Sequence, residues 1–364
     1  MLRQSLARVA MATAAAGTVC ALGAGAALAA PAATWSHPST PVPGALTDTS
    51  PALSSVSFPN PIGQGLLVAW RGQGLVGHIH YKYRTPSAHH WSHLATVPGA
   101  LTSSAPAVAG YTDPRGRGAL LAVWAGHVNN EIWYSQGETR RGGTIVWTTP
   151  VHLPSTIRYS TTFDAPAVFF LDHSSDVMVT WRAPYNHVRY SIGTPAGRGF
   201  TWSKSTVIPG NPPSPTTVHC TADPCTSDTP AVTEMTTSTS TGTVYVIWKQ
   251  LGTKDLFVSS ATDSATTNWA SQSIWTTPAQ VPGAVTLTAP AASVPTVNST
   301  GPLLLVYKAP FTTHVRYQTL TGSTWSAPSG VYGTRTNVAP ALLRNVLGAT
   351  TPTAIGNVIL RVYG

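Results

Sequence analysis

The six residues VPGALT occur at Val42–Thr47 and again at Val97–Thr102, and VPGAVT follows at Val281–Thr286. Each copy sits between the same landmarks. Upstream stands a tryptophan followed by a hydroxyl residue, as in Trp35-Ser36, Trp91-Ser92 and Trp275-Thr276. Downstream stands a Pro-Ala pair: Pro51-Ala52, Pro106-Ala107 and Pro290-Ala291. The landmarks alone locate degenerate copies, in which Trp147, Trp202 and Trp325 lead to Pro166-Ala167, Pro230-Ala231 and Pro340-Ala341. The tryptophans are therefore 56, 56, 55, 73 and 50 residues apart, a period that implies repeated supersecondary units. The VPGA element itself reads as a turn.

The rest of each unit repeats too. After Pro-Ala comes an apolar run ending in an aromatic at Trp70, Trp124, Trp181, Trp248 and Tyr307. A basic residue follows in four units, Arg71, Arg182, Lys249 and Lys308, with Ala125 the exception. Then comes a polar residue, an aliphatic, a variable residue and usually tyrosine: HIHY from His78, EIWY from Glu131, HVRY from His187, DLFV from Asp255 and HVRY from His314. Short segments rich in Val, Ile, Tyr and Trp, bounded by Gly, Pro, Asn and Thr, read as strands joined by turns. The runs that end in tryptophan are apolar on both faces, so they need cover on both sides. Four strands per unit, with inner strands covered by neighbouring units, describe an all-β propeller. A sandwich or a solenoid explains the four-strand unit less well. The Trp35 segment matches the last strand of a blade and Asn357–Gly364 matches a second strand. The reading is a single propeller of six blades, five complete and one partial closed by the N-terminal strand, with five blades as the alternative.

Residues 1–29 read as a signal peptide. Arg3 and Arg8 precede an Ala- and Gly-rich stretch, and Ala27-Leu28-Ala29 fits a small-x-small cleavage site. No later stretch reaches the roughly 18 apolar residues of a membrane span. The expected product is a secreted protein with one domain, 30–364, and no membrane insertion. Cys220 and Cys225, in CTADPC, then lie in an oxidising compartment, where a disulfide clipping the long fourth-unit loop is expected. Charged residues are only 9% of the chain, against about 25% in an average domain. The net charge of +9 is spread without a run beyond Arg140-Arg141, which excludes the basic patch of a nucleic-acid binder.

Catalytic motifs are sparse. There is no G-x-S-x-G elbow and no phosphate loop. Asp164 and Asp228 stand two residues before Pro-Ala in equivalent positions, where Asp is a common turn former. The sharper reading makes them a carboxylate pair at a propeller mouth, as a glycosidase needs. The histidines of His78-x-His80 share one strand face but lack supporting cysteines or carboxylates, so neither a metal nor another cofactor is expected.

The string AW-[RK]-G, IWYS, W-[ST]-x-P, VPGA-x-T and PA resembles the repeats of secreted bacterial β-propellers, which are similar to fucose-specific lectins and sialidase-type propellers. The closest stretch is LLAVWAGHVNNEIWYSQ followed by VWTTP. A sialidase-type Asp box is missing: GRGFTW and TGSTW keep only its end. The lectin resemblance implies glycan sites between blades, built from repeated basic, acidic and aromatic residues. Sugar CH faces would stack on rings and hydroxyls would take charge-assisted hydrogen bonds. The residues matching that pattern are Arg71, Arg182, Lys249 and Lys308, then His78, Glu131, His187, Asp255 and His314, and in the variable position Trp133, Arg189 and Arg316. The alternative is that these are ordinary strand-end polar residues. The function expected is a non-catalytic, lectin-like module whose partners are glycans. A sialidase-like glycoside hydrolase and a protein-binding or structural propeller are the other readings.

Overall fold

A computed structural model describes residues 35, 40–60, 62–74, 77–85, 90–113, 115–154, 157, 160–162, 164–197, 199–209, 226–295, 301–344, 346–351 and 356–362. Residues 1–29, expected to be a signal peptide, and Cys220 and Cys225, expected to form a disulfide, lie outside the described residues. Thr34–Gly364 forms one unit. It consists of six antiparallel sheets. Blade 1 runs through Ala52–Phe58, Gly63–Arg71, Gly77–Arg84 and Ala95–Thr102. Blades 2 to 5 start from the inner strands Ala107–Thr112, Ala167–Phe170, Ala231–Thr236 and Ala291–Ser293. Blade 6 is Ala341–Leu343, Val346–Thr350 and Gly356–Val362, completed by the N-terminal strand Thr40–Thr47. The six-bladed reading holds, and the N-terminal strand closes the ring. The C-terminal segment is the third strand of that blade rather than the second, because Val346–Thr350 supplies the second. Asn357, Val358, Ile359 and Leu360 repeat the polar, aliphatic, variable pattern of the other third strands.

VPGA is not a turn. It lies inside the outermost strand of its blade, where pairing with the third strand slips, between Pro41 and Leu46 in blade 6 and between His78 and His80 in blade 1. The reason is geometric. Val42 and Ala45 are both buried, as are Val97 with Ala100 and Val281 with Ala284, although each pair is three residues apart. A regular strand would aim them at opposite faces. One extra residue, a bulge, restores the match. Glycine supplies the positive φ it needs, 70° at Gly44, 71° at Gly99 and 69° at Gly283. Proline is tolerated because an edge strand has spare donors.

The Trp-hydroxyl landmark joins strands and blades. The hydroxyl accepts a hydrogen bond from a third-strand N–H in five blades: Tyr83 N to Ser92 Oγ at 3.0 Å, Gln136 to Thr148 at 3.0 Å, Ile192 to Ser203, Ser260 to Thr276 and Thr319 to Ser326 at 2.9 Å. The tryptophan packs against the third-strand aromatic of the preceding blade. Tyr81 meets Trp147 at 5.7 Å, Tyr134 meets Trp202 at 5.3 Å, Tyr190 meets Trp275 at 5.4 Å and Tyr317 meets Trp35 at 5.9 Å, all edge-on. Edge-to-face geometry at these separations is favourable for aromatic quadrupoles. Trp70, Trp124, Trp181 and Trp248, by contrast, are fully buried inside the blades, as expected for runs covered on both faces.

Each blade passes to the next through one loop design. Thr47, Thr102, Thr162, Thr226, Thr286 and Thr336 all stand four residues before the Pro of Pro-Ala, and all are buried. Each hydroxyl accepts the N–H two residues on, at 3.1 to 3.2 Å. This local turn aims the chain inward. The six Pro-Ala pairs then line one mouth of the axial channel.

Candidate functional site

Three of the four repeated basic residues are spent on this loop ring. Arg71 pairs with Asp48 at 2.5 Å and donates to Ser103 O. Arg182 pairs with Asp164 at 2.8 Å and donates to Ser227 O and Asn186 Oδ1. Lys249 pairs with Asp228 at 2.5 Å and donates to Leu287 O. Each cation thus ties the loop entering its blade to the loop leaving it. Asp164 and Asp228 are partners in these ties and do not line the axial cavity. The loop entering blade 5 offers Leu287 and Thr288 instead of a carboxylate, and Lys308 has no ion-pair partner among the described residues.

The third-strand residues sit elsewhere. The variable position stands opposite the aromatic that ends the second strand, so Trp133 pairs with Trp124, Arg189 with Trp181 and Arg316 with Tyr307. Arg189 donates to Ser205 Oγ at 3.2 Å, and Arg316 is exposed. His78 and His314 are exposed, while Glu131, His187 and Asp255 are half-buried. The predicted set is therefore distributed, blade by blade, between the loop ring and the third strands.

One inter-blade cleft is lined by a residue of this set, Trp133. It lies between blades 1 and 2 and encloses about 200 Å3. Gly99 and Leu101 of the bulged outer strand of blade 1 form one wall; Trp124, Trp133 and the loop Gly126–Asn129 form the other. Local sequence explains the shape. Trp133 packs against Gly126, where a Cβ would come within 2.7 Å of the indole nitrogen. His152 braces the ring edge-on at 5.4 Å. His127, Val128 and Asn129 project at the rim and are exposed. An aromatic floor beside polar loop side chains suits a sugar ring. No basic residue enters this cleft from the second strand, because Ala125 occupies that position.

The axial channel carries a second constellation, outside the repeated basic and third-strand columns. Its cavity of about 210 Å3 lies beyond the Pro-Ala mouth and is lined by inner-strand residues of all six blades. Three residues after the Ala of Pro-Ala, the blades place Ser55, Gly110, Phe170, Glu234, Val294 and Arg344 in turn, and all six line the cavity. Glu234 is fully buried. Its Oε2 accepts the Asp172 N–H at 2.8 Å, and its Oε1 lies 3.4 Å from His173 Nε2. Asp263 accepts the N–H groups of His173 and Ser174 at 3.1 and 3.3 Å. Two carboxylates of blade 4 thereby seat the first turn of blade 3. Gly242 leaves room for Glu234, whose carboxylate a side chain there would strike. Burial, with Asp263 and Asp172 close by, pushes the Glu234 carboxyl up to about 8. Burial also raises Asp172. The sequence signal for this site was present: Glu234 and Arg344 are the charged members of a column otherwise neutral.

Comparison with known proteins places this geometry in context. No protein-family model matches the chain, and no curated protein matches it in sequence. Solved structures do. An alpha-L-arabinofuranosidase of Fusarium graminearum aligns with a TM-score of 0.52 at 12% identity, covering 85% of this chain and 92% of that one. The SapL1 lectin, solved with alpha methyl fucoside, aligns with a TM-score of 0.52 at 11% identity, covering 86% and 95%. A Trypanosoma rangeli sialidase aligns at 0.51 and 12% identity; this chain spans 91% of itself but only 58% of that enzyme. At such identities the likeness is one of architecture: the chain is a six-bladed β-propeller that shares its fold with carbohydrate-binding lectins and with glycoside hydrolases.

Proposed function

We propose that the protein is a lectin-like module, exported from the cell, that binds glycans in clefts between blades without turning them over. The observation that carries this reading is the cleft between blades 1 and 2. Its volume, about 200 Å3, suits one sugar ring, and Trp133 offers an aromatic face beside Asn129 and His127. The same third-strand position holds His80, Arg189, Phe257 and Arg316 in four other blades, and several weak sites there would act together through avidity. Structural similarity to a lectin solved with a fucoside supports the reading. The bulged outer strand of blade 1 lines this cleft through Gly99 and Leu101. A glycan array probed with the chain from residue 30 onward tests it, together with hydrolysis assays on sialoside, fucoside and arabinofuranoside substrates. Saturable binding without turnover is expected.

One observation favours a hydrolase instead. Asp172 and Glu234 both line the axial cavity, and a carboxyl held protonated near neutrality is what a general acid requires. Against it, Glu234 is fully buried and its Oε2 is committed to the Asp172 N–H. Turnover abolished by Glu234→Gln would establish the hydrolase and remove the lectin reading.

A further inference from the structure

We infer that the axial cavity is a separate ligand site for a small zwitterion of free amino acid type, with Arg344 holding the carboxylate and Asp172 the ammonium group. The inference does not rest on the inter-blade reading. It starts from the column of inner-strand residues, where Arg344 and Glu234 replace the neutral Ser55, Gly110, Phe170 and Val294 of the other blades.

Arg344 is unusual in two ways. Its backbone is left-handed, with φ of 50°, a conformation that costs energy for a residue with a Cβ and recurs at functional positions. That conformation is held by the Arg344 N–H donating to Ser293 Oγ at 2.6 Å. Its guanidinium is half-buried, and among the described residues it makes no hydrogen bond or ion pair. A guanidinium in that state favours a bidentate anion, and carboxylate has the matching geometry.

Asp172 supplies the opposite charge. Its backbone is fixed by the bond to Glu234, while its carboxylate is exposed to the cavity and, among the described residues, accepts no hydrogen bond. Asp172 and Arg344 line one cavity without forming an ion pair; burial raises the Asp172 carboxyl, and the nearby His173 and Arg344 act against that rise. A cation and an anion that line one cavity without pairing match a ligand with both charges. The carboxylates nearby do not neutralise Arg344: Asp263 is turned onto the His173 and Ser174 N–H groups, and Glu234 is held protonated by burial. Phe169, Val294 and Leu343 add an apolar wall for a side chain, and about 210 Å3 admits one such molecule.

The test measures thermal stabilisation of the chain from residue 30 onward by each common L-amino acid in turn at millimolar concentration, followed by calorimetric titration of the best. Ligand that binds only the folded state raises the melting temperature saturably. At least one amino acid is expected to do so. Arg344→Gln and Asp172→Asn, both at solvent-accessible positions, should each weaken it roughly tenfold or more, as loss of a charged hydrogen bond does. The carboxamide of the same amino acid should bind as weakly. No binding by any amino acid, or binding indifferent to both substitutions, overturns the proposal. So does binding of D-glucuronate that needs Arg344 but not Asp172, which would make this a site for acidic sugars.

Discussion

The two mouths of the axial channel are built by opposite rules. At one mouth the repeat is kept six times over: a buried threonine, a tight turn, then Pro-Ala. The residues that look most functional there, Arg71, Arg182 and Lys249, are consumed in tying neighbouring loops. At the other mouth the repeat is broken. One position holds serine, glycine, phenylalanine, glutamate, valine and arginine in turn, and charge appears only in blades 4 and 6. The cleft between blades 1 and 2 follows the second rule, since it opens where Ala125 replaces the basic residue and Trp133 fills the variable position. In this molecule repetition marks the scaffold, and departure from repetition marks the places suited to bind something.

That contrast can be broken most severely in the scaffold. Trp181→Ala removes a fully buried indole from blade 3, and Trp248→Ala does the same in blade 4. Each should cost about 3–5 kcal/mol. Urea midpoints for the two should fall together; a large disparity would mean the blades are not equivalent.

The irregular mouth should reveal itself through pH. Glu234 has its folded pKa raised from 4.5 to about 8. The folded state therefore holds this proton more tightly than the unfolded chain. Its contribution to stability is fully present below pH 4.5 and is lost as pH rises through about 8. Glu234→Gln should flatten that decline, so the variant gains on the wild type with rising pH in denaturant titrations. A parallel pH profile would show that Glu234 carries no such proton.

Smaller effects sharpen the comparison on the regular side. Ala in place of Gly99 or Gly283 forces a Cβ into positive φ and should cost about 1–2 kcal/mol. The same substitution at Gly330, which has open space and no positive φ, should be nearly silent in the same melting assay. Arg182→Ala should destabilise by about 1 kcal/mol or less, since the pair is partly exposed. Lys308→Ala, with no carboxylate partner among the described residues, should do less.

The fold was legible because a repeat multiplies weak signals. The spacing of Trp-hydroxyl and Pro-Ala pairs was enough for a propeller closed by its N-terminal strand. VPGA was misread as a turn because Pro-Gly commonly marks one; only the two buried residues three apart identify a bulge. The third strand of blade 6 was misassigned although Asn357–Leu360 carries the repeated pattern, because its second strand, Val346–Thr350, lacks the terminal tryptophan. The site was less legible. Sequence placed Arg71 and Arg182 in a repeated column but could not show that Asp48 and Asp164 neutralise them. Glu234 and Arg344 were not legible because they do not recur from blade to blade, so no repeated pattern marks them.

The central claim is that Trp133 and its cleft bind sugar. Calorimetric titration of the best glycan-array ligand into the wild type and Trp133→Ala tests it most directly, with Trp133→Phe as a control that keeps an aromatic face. The account predicts saturable binding, weakened roughly tenfold or more by alanine, as loss of one stacked aromatic anchor does, and largely retained by phenylalanine. Equal affinity in the wild type and the alanine variant, with the fold intact, would contradict it.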